Sequence, residues 1–199
     1  LTADRVDIDL WKNEIDAFIP YEISKRLRIG PYIESRARRN HHMDPAVINR
    51  QKDPALDREF TVALGFKQEL DFRDQPENPS LGWLQSFRVS TGFPYLTSPT
   101  RVSFTTVEAE FKAFQYLIAQ DLVGAYSISG GVISDHAPFL SQFRLGGTDK
   151  LRGFYYNRFR GSKYYAQQNE LRFPIWKMVG GVTFVEFGEA TEKHFSRAN

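Results

Sequence analysis

The fold is decided by the stretch FRLGGTDKLRGF at residues 143–154, which combines three glycines with an Arg-Gly-Phe end. Two strand-like segments follow, QNELRFP at residues 168–174 and FVEFG at residues 184–188, and each carries one carboxylate. Glycine permits positive φ and close backbone approach. Arginine has five N–H donors that suit bidentate pairing with carboxylates. The combination predicts a long loop that an arginine holds inside a β-barrel.

The clearest strand signal lies at residues 60–72, where apolar and polar side chains alternate. The apolar positions are Phe60, Val62, Leu64, Phe66, Leu70 and Phe72. At roughly 3.3 Å per residue this stripe is about 40 Å long, and a tilt near 45° projects it to about 30 Å, the thickness of a bilayer core. Strands of soluble proteins average about 5–6 residues, so the length favours a membrane-spanning strand.

The same rhythm recurs in seven other segments, which predicts about eight strands in one domain. These segments cover residues 6–10, 22–34, 83–93, 107–117, 126–132, 165–175 and 182–188. Polar, turn-rich connections are predicted at residues 38–57, 74–80 and 135–161. Alternation alone also fits a soluble β-sandwich whose charged face meets water, so strand length is what favours the membrane.

Composition excludes several classes of protein. The chain has 199 residues, a formal charge of +2 and 15 % aromatic residues, so no global field favours nucleic acid. The absence of Cys excludes disulfides, thiolate metal sites and a Cys nucleophile. The sequence contains no apolar run of about 18 residues, so it does not predict a transmembrane helix. The chain begins at Leu1 without a signal peptide, so either a targeting segment was removed or this is an internal piece.

In order and spacing, these segments resemble the bacterial surface antigen family of BamA- and TamA-like outer-membrane assembly factors. The family pattern Leu-Gly-Gly-x-x-x-Leu-Arg-Gly-Phe lies on a long extracellular loop that folds back into the barrel. It is matched here by Leu145, Gly146, Gly147, Leu151, Arg152, Gly153 and Phe154. The resemblance implies that Glu170 and Glu186 are the barrel-wall partners of Arg152, with Glu186 standing where many relatives have Asp.

The fold implied by the resemblance is an all-β, antiparallel transmembrane β-barrel of the outer-membrane type. We expect residues 1–199 to form part of this barrel domain, about eight strands of a 16-stranded barrel, with a lumen-folded loop at residues 135–161 and no POTRA domain. The eight would be strands six to thirteen. Both seam strands and the terminal aromatic strand of the family would then be missing from the chain.

The function implied by the resemblance is assistance to the insertion, assembly or translocation of outer-membrane proteins, without enzymatic chemistry. An edge at the barrel seam would template the incoming strand by β-augmentation. The expected location is the outer membrane of a Gram-negative-type bacterium. The expected partners are outer-membrane lipid, unfolded outer-membrane protein clients and accessory lipoproteins, with no nucleic acid, nucleotide, cofactor, metal or catalytic residue.

Two other classes of function stay open at this point. One is the barrel module of a multidomain outer-membrane enzyme linked to a phospholipase, and the other is a soluble β-sandwich binding module. Considered alone, the Arg-Gly-Phe tripeptide is more simply interpreted as a glycine turn with an exposed arginine. Each glutamate considered alone is more simply interpreted as a solvent-facing strand residue.

Weaker candidate sites have simpler explanations. His41, His42 and Asp44 could bind a metal, but adjacent histidines point apart and a polar loop explains them better. His136 and His194 have no spaced partners. Glu108 and Glu110 could form a carboxylate pair, yet a wet strand face accounts for both.

Overall fold

A computed structural model describes residues 9–42, 58–95, 103–118, 121–134, 137, 141–176 and 179–192, and every regular element that it contains there is a β-strand. In these ranges no helix has the length and apolar character needed to cross a membrane. The strands are β1 (Asp9–Phe18), β2 (Tyr21–Glu22), β3 (Leu27–His42), β4 (Arg58–Asp71), β5 (Gly82–Tyr95), β6 (Phe104–Tyr116), β7 (Val123–Ile133), β8 (Phe143–Leu145), β9 (Phe159–Gly161), β10 (Lys163–Trp176) and β11 (Val179–Thr191).

The eight long strands form one antiparallel sheet in the order β1-β3-β4-β5-β6-β7-β10-β11. The short strand β2 adds to β3, and β8 pairs with β9 in a separate hairpin. This confirms the predicted all-β antiparallel fold and its eight strands. Because the long strands share one sheet, the described residues do not form the two facing sheets of a β-sandwich. Strands β1 and β11 lie at its two ends, and the pairings of the described residues do not join them.

Three predicted boundaries near the start of the chain were wrong. The segment predicted at residues 22–34 is interrupted by a turn at residues 23–26, where the N–H of Ile23 donates to the carbonyl of Leu27 at 3.0 Å. The connection predicted from residue 38 begins later, because β3 stays paired with β1 and β4 through residue 39. The sequence at the end of β3 is rich in arginine and has almost no apolar residues, so apolar periodicity could not predict it as strand. Strand β1 continues to Phe18, beyond the predicted residues 6–10.

The two faces of the sheet differ as the alternation predicts. On the outer face Leu64 and Phe66 are 51 % and 47 % exposed, whereas Thr61 and Ala63 on the other face of β4 are buried. Other large apolar side chains exposed on the outer face are Ile33, Phe87, Phe111, Ile128, Tyr165 and Phe187. The opposite face, which we call the inner face, carries the β8–β9 hairpin and the ion pairs described below. An apolar outer face and a charged inner face are the arrangement of a membrane barrel wall.

The strands also define two rims of the sheet. The chain leaves and re-enters one rim between β3 and β4 (43–57), between β5 and β6 (96–103) and between β7 and β10 (134–162). We call this the loop rim, because it has the two longest connections. The other rim, which we call the turn rim, joins β4 to β5 (72–81), β6 to β7 (117–122) and β10 to β11 (177–178).

Candidate functional site

The β7–β10 loop turns back over the inner face of the sheet at two glycines. Gly146 has a φ of 104° and Gly147 a φ of 114°, a left-handed backbone conformation that glycine adopts most readily. The N–H of Gly146 donates to the carbonyl of Lys150 at 3.1 Å, and its carbonyl accepts from the N–H of Asn157 at 3.2 Å. A Cβ added to Gly146 would overlap the carbonyl oxygen of Tyr155. The tight turn between β8 and the Arg-Gly-Phe segment therefore depends on glycine.

Beyond this turn the loop is anchored by an apolar cluster. We call Leu145, Leu151, Tyr164 and Ala166 the apolar seat, and these residues retain 2 %, 3 %, 6 % and 2 % of their accessible surface. Leu145 and Leu151 come from the loop, whereas Tyr164 and Ala166 lie on the inner face of β10. Phe143 packs its ring 4.6 Å from that of Tyr164. The seat fixes the loop against β10 by burying apolar surface.

Arg152 lies next to the seat and contacts two strands of the wall. Its Nη2 donates to Oε1 of Glu170 on β10 at 2.7 Å, and its Nε donates to Oε1 of Glu186 on β11 at 2.6 Å. The main-chain N–H of Arg152 also donates to Oε2 of Glu186 at 2.6 Å. We call Arg152, Glu170 and Glu186 the loop lock. Its three hydrogen bonds tie one loop residue to two neighbouring strands.

Neighbouring side chains support this geometry. Gln168 donates from Nε2 to Oε1 of Glu186 at 3.0 Å and to the carbonyl of Asp149 at 2.7 Å, so it joins the wall to the loop as well. The guanidinium of Arg152 lies 3.9 Å from the centroid of the Phe184 ring, a cation–π distance. The arginine is thus held in its plane by carboxylates and supported from one side by an aromatic ring.

The lock is unevenly exposed. The side chain of Glu186 is 4 % exposed, that of Glu170 is 17 % and that of Arg152 is 26 %. Burial alone lowers the pKa of the Arg152 guanidinium, but its hydrogen bonds to Glu186 and Glu170 and their charges raise that pKa above its ordinary value. Arg152 therefore keeps its charge at every physiological pH.

Glu170 has a second arginine as partner. Arg172, two residues further along β10, donates from Nε and Nη2 to Oε2 of Glu170 at 3.1 and 3.0 Å. The two carboxylate oxygens of Glu170 are consequently divided between the loop arginine and an arginine of the same strand.

The structure brings seven of the nine sequence-predicted residues together: Leu145, Gly146, Gly147, Leu151, Arg152, Glu170 and Glu186. It differs from the expectation at Gly153, which has no positive φ and no heavy atom within 4 Å of an added Cβ. The left-handed position in this segment is Leu151, with a φ of 58°. Phe154 is 49 % exposed, and its ring meets that of Phe159 edge-on with the centroids 5.0 Å apart.

Sequence reasoning missed Gln168, Arg172 and Phe184 as parts of this site. All three share the strand phase of Glu170 or Glu186, and the register pairs Gln168 with Glu186 and Glu170 with Phe184. Strand phase was available from the sequence, whereas the pairing of β10 with β11 in this register was not.

The weaker candidates fall elsewhere. Glu108 pairs with Arg88 on the inner face, and Glu110 lies 3.1 Å from Lys112, so these carboxylates belong to ion pairs of the wall. The side chains of His41 and His42, and the whole of Asp44, His136 and His194, lie outside the described residues.

One further carboxylate group occurs among the described residues. Glu14, Asp16 and Glu34 have oxygens within 4.8 Å of one another. Arg36 pairs with Glu14 at 3.0 Å and also with Glu34, so this arginine already compensates part of their charge.

Comparison with known proteins agrees with this architecture. The Omp85 superfamily domain matches residues 16–199. The fold is similar to the crystal structure of BamA from Haemophilus ducreyi lacking POTRA domains 1–3, with a TM-score of 0.66 and 15 % sequence identity, over 93 % of this chain and 42 % of that chain. At that identity the likeness concerns the fold alone. No curated protein matches the sequence significantly.

The domain match covers nearly the whole chain, and the sheet has the apolar outer face and charged inner face of a membrane barrel. The chain belongs to the Omp85 superfamily, and it is located in the outer membrane of a Gram-negative-type bacterium.

Proposed function

We propose that residues 1–199 are the part of an outer-membrane barrel that holds its long inner loop in place while the complete protein assists the insertion, assembly or translocation of outer-membrane proteins. Unfolded outer-membrane proteins are the proposed clients, outer-membrane lipid surrounds the barrel, and accessory lipoproteins assist. No bond chemistry is involved in this role. The lock made by Arg152 with Glu170 and Glu186 is the observation that carries the proposal.

The two rims support an orientation in the membrane. Outer-membrane barrels have short periplasmic turns and longer extracellular loops. The two longest connections of this sheet are both at the loop rim, so we take the loop rim as extracellular and the turn rim as periplasmic. Trp83 stacks on Phe72 at 4.4 Å near the turn rim, on the outer face, where aromatic girdles meet the lipid headgroups.

The lock supports a bracing role because of what it connects. The β7–β10 loop enters from the loop rim, and its arginine reaches the middle of β10, where Glu170 pairs with Phe184 of β11. A loop fixed at this depth resists separation or sliding of the two strands. In the complete barrel such bracing would keep the wall in shape while an edge strand at the seam pairs with a client.

The decisive experiment removes the two side-chain hydrogen bonds of Arg152 and leaves its main-chain bond in place. Full-length protein carrying Arg152→Ala is placed in lipid vesicles, and the folding rate of a urea-unfolded outer-membrane protein client is followed by its gel-mobility shift. We expect client folding to slow roughly tenfold, since the two side-chain bonds of the partly exposed Arg152 together contribute about 1–2 kcal/mol and the main-chain bond to Glu186 remains. Arg158→Ala is the matched control, because Arg158 is an exposed arginine of the same loop.

Two measurements accompany the client assay. Protease cleavage within residues 135–161 reports whether the loop is loosened, and circular dichroism reports whether the wall stays folded. Client folding at the wild-type rate, with a cleaved loop and an intact wall, would reject a role of the lock in assembly. Unchanged cleavage of the loop would reject the lock itself.

A further inference from the structure

The β4–β5 turn at residues 72–81 folds towards the inner face from the turn rim. Arg73 donates from Nη1 to the carbonyl of Pro76 at 3.0 Å, and Asp74 accepts from the N–H groups of Gln75 and Ser80 at 2.9 and 3.1 Å. These bonds give the turn a fixed shape. Pro79 is buried, although the residues from 74 to 78 before it are exposed.

This turn and the loop lock face the same space. A cavity of about 490 Å³ is lined on one side by Pro76 and Pro79 and on the other by Arg152 and Glu170. The turn joins β4 to β5, and β6 and β7 lie between β5 and β10, so the turn extends over the inner face of β6 and β7 to reach this position. The turn and the loop therefore approach each other inside the barrel from opposite rims.

Arg172 connects the two elements. Its Nη1 donates to the carbonyl of Pro79 at 3.4 Å, a long hydrogen bond, while Nε and Nη2 donate to Oε2 of Glu170. The other oxygen of Glu170 accepts from Arg152. The Arg172 guanidinium also lies 5.6 Å from the ring centroid of Phe114 on β6. The planar guanidinium of Arg172 therefore contacts the turn through Nη1 and the carboxylate of Glu170 through Nε and Nη2.

We propose that Arg172 is a positioning residue that couples the β4–β5 turn to the loop lock. The inference rests on the proposed function of the lock and adds the element that communicates with it. Because Arg172 fixes one oxygen of Glu170, it orients the other oxygen towards Arg152. A partner or client that displaces the turn at the turn rim moves Arg172 and weakens the lock, and release of the lock loosens the turn, since coupling between two sites is reciprocal.

The test uses a spin label on the turn. The chain has no Cys, so Asn78→Cys places a single nitroxide on an exposed turn residue once any cysteine outside this chain has been replaced. Asp121→Cys, an exposed residue of the β6–β7 turn on the same rim, is the control label. Both labels are read in the full-length protein in lipid vesicles, together with protease cleavage of the loop, in four backgrounds: unmodified, Arg152→Ala, Arg172→Ala and the double variant.

Coupling predicts a non-additive pattern. We expect Arg152→Ala to raise the mobile-to-immobile ratio at position 78 about fivefold, and Arg172→Ala to do the same, while the double variant shows no further rise. The label at position 121 stays unchanged. Arg172→Lys, which keeps the charge but not the planar fork, restores part of the immobile population.

The outcomes separate the inference from the proposed function. If Arg152→Ala speeds loop cleavage but leaves the label at position 78 unmoved, the coupling is wrong and the lock stands. Additive effects of the two substitutions on that label would also overturn the coupling. If Arg152→Ala changes neither loop cleavage nor the label, the lock fails and the coupling fails with it.

Discussion

The apolar seat and the loop lock both hold the same loop against β10, and the lock also holds it against β11, but the two act through different interactions. The seat consists of four residues that are almost fully buried, with Leu145 and Leu151 contributed by the loop. The lock consists of three charged residues, of which Arg152 keeps about a quarter of its side-chain surface exposed. Apolar burial is not directional, whereas charge-assisted hydrogen bonds fix both distance and orientation.

We therefore expect the seat to determine where the loop lies and the lock to determine how the Arg-Gly-Phe segment is oriented. Removing a seat residue leaves a cavity that the surroundings fill only in part, so the loop as a whole should detach. Removing a lock contact leaves the loop seated but frees the Arg-Gly-Phe segment to move, because the ion pairs of the partly exposed Arg152 contribute less than buried apolar contacts. The seat is therefore suited to keeping the loop attached to the wall. The lock is suited to reversible release of the Arg-Gly-Phe segment.

The largest effect should come from Leu145→Ala. Leucine-to-alanine changes at buried sites cost about 2–5 kcal/mol, and 1.4 kcal/mol is about tenfold in an equilibrium, so loop cleavage should accelerate roughly 30-fold or more. Protease cleavage within residues 135–161 measures this in the full-length protein.

Leu117→Ala is the control for this prediction, because Leu117 is a half-exposed leucine of the β6–β7 turn. The comparison between seat and lock would break if Leu145→Ala loosened the loop less than Arg152→Ala does. The lock alone would then determine where the loop lies.

An intermediate effect is expected at the glycine turn that joins seat to lock. Gly146→Ala places a Cβ on a left-handed residue and against the carbonyl of Tyr155, which should cost about 1–3 kcal/mol. Gly153→Ala is the matched change in the same motif and should be nearly silent, since Gly153 has open space around it. Loop cleavage in the two variants measures the contrast, and equal effects would show that Gly153 also needs its conformational freedom.

The contrast between these glycines shows how far the sequence could predict the site. Alternation predicted the outer and inner faces, because side-chain direction in a strand depends only on position along the chain. It also put Glu170 and Glu186 on the inner face. It could not reveal which glycine needs a positive φ, because that depends on what lies opposite, here the carbonyl of Tyr155. The fork of Arg172 was missed for the same reason, since its second partner, Pro79, is 93 residues away in sequence.

The smallest expected difference lies within the lock, between Glu186→Gln and Glu170→Gln. Glu186 accepts from the main chain and the side chain of Arg152, and its own side chain is nearly buried. Glu170 accepts one hydrogen bond from the loop, and its other oxygen accepts from Arg172. Glutamine loses the charge but keeps one acceptor oxygen, so each bond to Arg152 is weakened by roughly 0.7 kcal/mol. We therefore expect loop cleavage to rise roughly tenfold for Glu186→Gln, where two bonds are affected, and about threefold for Glu170→Gln, where one is affected.

Both substitutions keep the size of the side chain and replace one oxygen with a donor, so cavity formation does not enter the comparison. The ratio of their cleavage rates, measured in the full-length protein with Arg158→Ala as the reference, is what counts. A larger effect at Glu186 means that the loop is anchored mainly on β11 and that Glu170 adjusts its alignment. Equal effects would mean that the Glu170–Arg172 pair carries as much of the loop as Glu186 does, because loss of Glu170 also frees Arg172 from the lock. In that case the turn rim, through Arg172, would influence the loop as strongly as the wall itself.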